Sequence, residues 1–232
     1  MQADVLYRTL GGVSGSHHSH MKKLQPDLWQ STIHRAGVLN THAYLLERPA
    51  GNILFYNTGN EDDLREIAER SGIAWQLLTH RDEAGPSQAR IRDRFGCRLG
   101  CSAIEAPFVA RHGKPDLAFG PSEDRIEDVF IIHTPGHTDG SVCFFYRSPS
   151  GKSYLFTGDT IFQWDGEWST LVLAGSGGRA DDLSESLVRL KTISPDLVMS
   201  SGFVGEVAYR EVTRGEWTAV LDDRIEALRS RS

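Results

Sequence analysis

The chain has 232 residues, a formal net charge of −6, 39% hydrophobic and 24% charged residues, ordinary values for a packed soluble domain. Its Lys and Arg are scattered in ones and twos, which excludes the concentrated basic face of a nucleic-acid-binding protein. No apolar run approaches the ~18 residues that cross a bilayer, and no apolar signal segment opens the chain, so a cytoplasmic protein without membrane contact is expected.

Residues 1–20, with the stretch "GGVSGSHHSHM", are rich in Gly, Ser and His and lack periodicity. They read as a flexible leader or a cloning remnant whose His17, His18 and His20 bind metal only adventitiously, leaving 21–232 as the folded domain. From residue 28 short strands follow one another. "LWQSTIHRAG" precedes "THAYLLERPAGNILFYNTG", in which Pro49, Ala50 and Gly51 form a turn. "EDDLREIAERSG" sets Leu64, Ile67 and Ala68 at helical spacing and stops at Gly72. "IAWQLLTH" is a nearly continuous apolar run, as in a strand covered on both faces. "GPSQARIRDRFG" reads as a helix with Pro86 at its first turn and Gly96 at its end.

The second half repeats this style. "DVFIIHTPG", "SVCFFYRS" and "KSYLFTGD" are strands separated by turn residues, and "RADDLSESLVRLKTI" is an amphipathic helix with Leu183, Leu187, Val188 and Leu190 on its apolar side. "DLVMSSG" is a further strand, and a closing helix starts from Thr213 as N-cap. Two halves of strand–helix order predict an α/β fold, a four-layer αββα sandwich. The three cysteines, Cys97, Cys101 and Cys143, form no disulfide framework and read as buried small hydrophobes.

Three apolar strands run out into metal-competent residues. "IAWQLLT" leads to His80, Asp82 and Glu83, "VFII" to His133 and His137, and "SYLFTG" to Asp159. Mixed imidazole and carboxylate donors on loops at strand ends suit a borderline cation. Each residue also has a plainer role. His80 can be a hydrogen-bonded strand-end histidine, Asp82 and Glu83 can cap the following helix, and Asp159 can close a turn. His133 falls within its strand's alternation and reads as a packing residue, while His34 and His112 read as surface histidines.

Taken together, "FYNTG" (55–59), "LLTHRDEAG" (77–85), "TPGHTDGSVCF" (134–144) and "LFTGDTIF" (155–162) resemble the metallo-β-lactamase fold superfamily over residues 28–228. The resemblance implies the αββα sandwich and a metal loop of the form His-x-His-x-Asp-His. Laid over this chain, that loop falls on Leu78, His80, Asp82 and Glu83. The next ligand falls on His137, the bridging carboxylate on Asp159, and the final histidine on Gly202, while the family's Asp-Thr-Gly has become Asn57-Thr58-Gly59. The retained set implies one divalent transition metal (Zn, Fe or Mn) on His80, His137 and Asp159 with Asp82 or Glu83, and no second metal.

The implied activity is metal-dependent hydrolysis of a small-molecule ester, thioester, lactone or phosphoester, with Asp82 orienting or deprotonating water. The aromatic, Gly-rich segment 163–178 reads as a loop facing substrate through Trp164 and Trp168, or equally as a cover for the sandwich edge. The other reading is a non-enzymatic binding or scaffold protein whose metal site has degenerated, favoured by Leu78 and Gly202. The sequence leaves the oligomeric state open.

Overall fold

The computed structural model describes residues 20–36 and 39–230. Residues 1–19, with His17 and His18 of the expected leader, lie outside the described residues. His20 sits at their start, with Nδ1 3.0 Å from a Glu66 carboxylate oxygen.

The first half of the chain forms β1 (Lys22–Gln25), β2 (Leu28–Gln30), β3 (His34–Ala36), β4 (Leu39–Thr41), β5 (Tyr44–Leu46), β6 (Ile53–Phe55), α1 (Glu61–Glu69), β7 (Trp75–Leu77), α2 (Ser87–Phe95), β8 (Arg98–Ser102), α3 (Ala106–Val109) and β9 (Leu117–Phe119). Seven of these strands pair in the order β1-β2-β5-β6-β7-β8-β9. Pairing is antiparallel up to β6 and parallel from β6 to β9. The parallel steps need crossovers, which α1, α2 and α3 supply. Asn60 caps α1 through its side chain, and Gly96 closes α2 in the left-handed region.

The second half forms β10 (Arg125–Ile126), β11 (Val129–His133), β12 (Val142–Arg147), β13 (Ser153–Gly158), β14 (Phe162–Trp164), β15 (Glu167–Ser169), α4 (Ala180–Leu190), β16 (Leu197–Ser200), β17 (Gly202–Phe203), β18 (Tyr209–Glu211) and α5 (Arg214–Arg229). The second sheet runs β10-β11-β12-β13-β16-β18, and its one parallel step, β13 to β16, is bridged by α4. Thr213 opens α5 with a complete capping box to Glu216.

The two sheets face each other across an aromatic core in which Phe55 stacks on Phe156 at 3.7 Å between ring centroids, edged by Tyr44, Tyr56 and Phe144. On the outer face of the second sheet, Leu183, Leu187 and Leu190 of α4 and Trp217, Leu221 and Ile225 of α5 cover Phe145, Leu155 and Val198. Leu64, Ile67 and Ile91 of α1 and α2 are buried on the first. This is the four-layer order read from the sequence. Val188 departs from the expected apolar side of α4 and is exposed, because ~100° per residue turns it away from the line of Leu183, Leu187 and Leu190. All three cysteines are free and buried.

The carboxyl ends of β7, β11 and β13 lie at one edge of the sandwich, where Val142 N–H donates to Thr79 C=O (3.0 Å) and joins the two sheets. Crevices beyond the carboxyl ends of parallel strands are the usual binding place in open α/β sheets. A small sheet, β17-β4-β3, and the hairpin of β14 and β15 stand beside that edge.

Candidate metal centre

After β7 the chain stays extended through His80 and then tightens into a single 3₁₀ turn over Arg81–Glu83. Leu78, where the resemblance expects a histidine, points instead into a small apolar cluster with Leu99, Cys101 and Val109. The buried His80 ring has Nδ1 3.2 Å from Glu83 Oε1 and 3.1 Å from the Thr79 hydroxyl, while Nε2 faces Asp159 Oδ2 at 3.6 Å. His137, on the loop between β11 and β12, donates Nδ1–H to the Leu171 carbonyl at 2.9 Å. Its Nε2 is buried without a hydrogen-bond partner and lies 3.9 Å from the same Asp159 oxygen. The two imidazoles stand nearly perpendicular, 4.7 Å between centroids.

Asp159 follows β13. Its Oδ1 accepts from Gly202 N–H (2.9 Å) and the Ser201 hydroxyl (2.8 Å), which leaves Oδ2 for the histidines. Tyr56 braces this turn from the opposite sheet. It accepts from Gly158 N–H (3.0 Å) and donates to Met199 C=O (2.8 Å), and its backbone takes φ of +69°, an uncommon conformation for a side-chain-bearing residue.

Each of the three groups is therefore held by one atom and leaves another facing its partners. One donor atom each from His80, His137 and Asp159 lie within 4.8 Å of one another. A second anchor on a ligating imidazole fixes its tautomer and aim, as in carboxylate–histidine–metal arrangements. Two imidazole nitrogens and one carboxylate oxygen, one of the nitrogens otherwise an orphan in the interior, fit a divalent transition metal with coordination positions left open.

Charge follows this geometry. Burial alone would lower the His80 pKa, but the Glu83, Asp159 and Asp82 carboxylates outweigh it and lift the ring to about 9. Burial and the neighbouring His80 hold His137 below its ordinary value. Burial would raise the Asp159 carboxyl, yet His80 and His137 keep it below the ordinary carboxylate range.

Of the five residues expected as ligands, the structure brings three together. Glu83 is behind His80, its oxygens taking Thr79 N–H (2.7 Å), the Thr79 hydroxyl (2.5 Å) and His80 Nδ1. Asp82 is exposed, outside that trio, on the wall of the adjoining pocket. That pocket, about 550 Å³, is lined by Thr41, His42, Tyr56, Asn57, Ser87 and Arg90 beside the trio's His80 and Asp159. A cleft of about 480 Å³ beside Phe145 and Lys152 has no His, Asp, Glu or Cys among its lining residues.

Of the two readings of the tryptophans, the structure matches the edge-covering one for Trp168. Trp168 is buried against Trp217 at 5.9 Å, and Trp164 is exposed beside Phe162; neither lines the pocket. The segment forms the β14–β15 hairpin, whose alternation turns Trp168 into the α5 interface. His34, read as a surface histidine, is exposed at the pocket wall, whereas His42, buried and stacked on Phe203 at 5.1 Å, gave no sequence signal beyond its place before a strand. His133, the last residue of β11, has Nε2 3.1 Å from the Glu123 carbonyl and stays outside the trio.

Asn57 explains the altered "FYNTG". Its amide donates to the Glu83 carbonyl (3.1 Å), while its oxygen accepts from Ser87 (2.8 Å) and Gln76 (3.3 Å). An aspartate has no N–H to give Glu83.

The metallo-β-lactamase superfamily model matches residues 63–202, more than half of the chain, and the chain belongs to that superfamily. An uncharacterised protein of Mycobacterium tuberculosis is 32% identical over 185 residues, 66% of this chain and 80% of that protein. A hydroxyacylglutathione hydrolase of Rhizobium meliloti is 29% identical over 228 residues, 91% of this chain and 77% of its own length. A Pseudomonas aeruginosa metallo-β-lactamase solved in its mono-zinc form superposes with a TM-score of 0.67 over 90% of this chain and 95% of that one, at 13% identity. No helix among the described residues is long and apolar enough to cross a membrane.

Proposed function

We propose that this chain is a hydrolase of small acyl compounds, thioesters foremost, that works with a single divalent transition metal held by His80, His137 and Asp159. The observation that carries the reading is the convergence of three individually anchored donor atoms, two of them from residues that line a pocket. The thioester class is supported by the relatives named hydroxyacylglutathione hydrolase. A metal held by these residues would lower the pKa of a bound water towards ~7 and polarise a carbonyl oxygen.

The chain's own residues do the rest. Glu83 holds His80 by Nδ1 and leaves Nε2 towards Asp159, Leu171 does the same for His137, and Ser201 and Gly202 fix the Asp159 carboxylate, so the donor set is aimed before any ligand arrives. Asp82, free on the pocket wall, orients an attacking water and takes its proton. Thr41, Asn57 and Ser87 offer hydrogen-bonding groups to the substrate's polar parts. A second cation lacks donors, because Leu78 is packed in an apolar cluster, Gly202 has no side chain, and Glu83 is engaged by Thr79 and His80.

Elemental analysis of protein lacking residues 1–20 tests this reading. One equivalent of Zn, Fe or Mn per chain is expected, with uptake and thioester hydrolysis both lost in His137→Ala. Two tightly bound equivalents would sink the single-metal claim. A protein that takes up no metal and hydrolyses nothing would support the alternative of a binding or scaffold protein, which Leu78 and Gly202 favour.

A further inference from the structure

His80 and His137 come from different loops, and something must fix the distance between them. Their immediate neighbours in the chain, Arg81 and Thr138, meet on one side chain. Glu105, fully buried at the start of α3, accepts Arg81 Nε–H at 2.5 Å and Nη2–H at 3.3 Å, and the Thr138 hydroxyl at 2.6 Å. Thr138 is fully buried too and also contacts Ser141 at 2.6 Å, while Arg81 bonds Asp139 from the same guanidinium. The guanidinium plane lies over Phe108 at 3.8 Å, which completes its enclosure. Gly140 leaves the room for this: a Cβ there would come within 2.6 Å of Glu105 Oε1.

We infer that Glu105 is a positioning residue of the metal centre, setting the separation of the two histidines by gripping Arg81 and Thr138 with one carboxylate. A buried carboxylate is costly unless it is paired and fully hydrogen-bonded. Here the pairing is supplied from both histidine loops at once, and a shift of either loop breaks a bond to the same acid. The plainer alternative is that Glu105 only stabilises the fold around α3. It predicts a change in unfolding temperature but none in the geometry of the donor set. The inference rests on the metal reading above.

The test compares the full domain with Glu105→Gln, Thr138→Val and Thr138→Ser, measuring Zn²⁺ affinity by chelator competition, the visible spectrum of the Co²⁺-loaded protein, and thermal unfolding without metal. Thr138→Val is nearly isosteric and removes only the hydroxyl, so it keeps the test alive if Glu105→Gln does not fold. Loss of roughly 10–100-fold in metal affinity, with a displaced Co²⁺ spectrum, is expected for Glu105→Gln and Thr138→Val, and wild-type behaviour for Thr138→Ser. Affinities within about twofold of wild type and unchanged Co²⁺ spectra in both disrupted variants would overturn the inference while leaving the metal reading intact. A wild-type domain that binds neither ion would overturn both.

Discussion

His42 shows how one imidazole can sit beside a metal centre with a task of its own. It is buried, stacks on Phe203 with the rings 6° from parallel, and has an unpartnered Nδ1. Burial, partly offset by the Ser31 and Thr32 carbonyls, pushes its pKa down to about 4. Between that value and the ordinary 6.5 the native state binds fewer protons than the unfolded chain. Stability is therefore unaffected above about pH 6.5 and falls as the pH drops from there towards 4. This one residue accounts for as much as ~3 kcal/mol of that loss. His42→Phe keeps the stacking and removes the titration. Urea unfolding at pH 7 and pH 4.5 should show a clearly smaller acid penalty in the variant, and an equal penalty would refute the assignment. Glu83 is the complementary case, a carboxylate at the position of a family ligand whose oxygens are taken here by Thr79 and His80.

At the scale of elements, the short pairing of β17 with β4 decides how the centre is closed. Gly202 pairs with Thr41, and its N–H is spent on Asp159. A Cβ at Gly202 would lie 2.9 Å from Asp159 Oδ1, too close for an ordinary contact. Putting back the family's histidine by Gly202→His should therefore displace the Asp159 carboxylate and weaken binding of the first metal, without creating a second site. Titration with Zn²⁺ checks this, and a gain to two equivalents would show that the strand yields more easily than its packing indicates. The β14–β15 hairpin follows the same logic of alternation. Trp168 faces Trp217 and the α4–α5 layer, so the aromatic residues of that segment consolidate the outer layer and leave the pocket wall to β4 and α2.

For the whole molecule, the centre sits at the seam between the sheets. His80 comes from the first sheet's edge, His137 and Asp159 from the second, and Tyr56 of the first holds the turn before Asp159. A metal bound there ties both halves of the sandwich together and stabilises the native state by mass action, by about 4 kcal/mol when free metal exceeds Kd about a thousandfold. Chelation should lower the unfolding temperature of the intact domain by several degrees and leave His137→Ala unmoved. Equal melting curves with and without chelator in the wild type would contradict metal binding at the seam.

Much of this was fixed locally. Apolar runs and turn residues determined the order of strands and helices, Gly96 and Thr213 marked helix ends, and "THRDEAG", "TPGHT" and "FTGD" marked the ligand loops through the superfamily resemblance. Those signals lie within a few residues of one another, where backbone preference and spacing act directly. Tertiary structure decided what depends on direction and distance. It turned Glu83 onto Thr79 and His80, buried Trp168, brought His42 to the pocket, and gathered Arg81 and Thr138 onto Glu105. The partners in those contacts come from separate elements or face one way among several their local sequence allows. Only the packing of one sheet against the other selects among them.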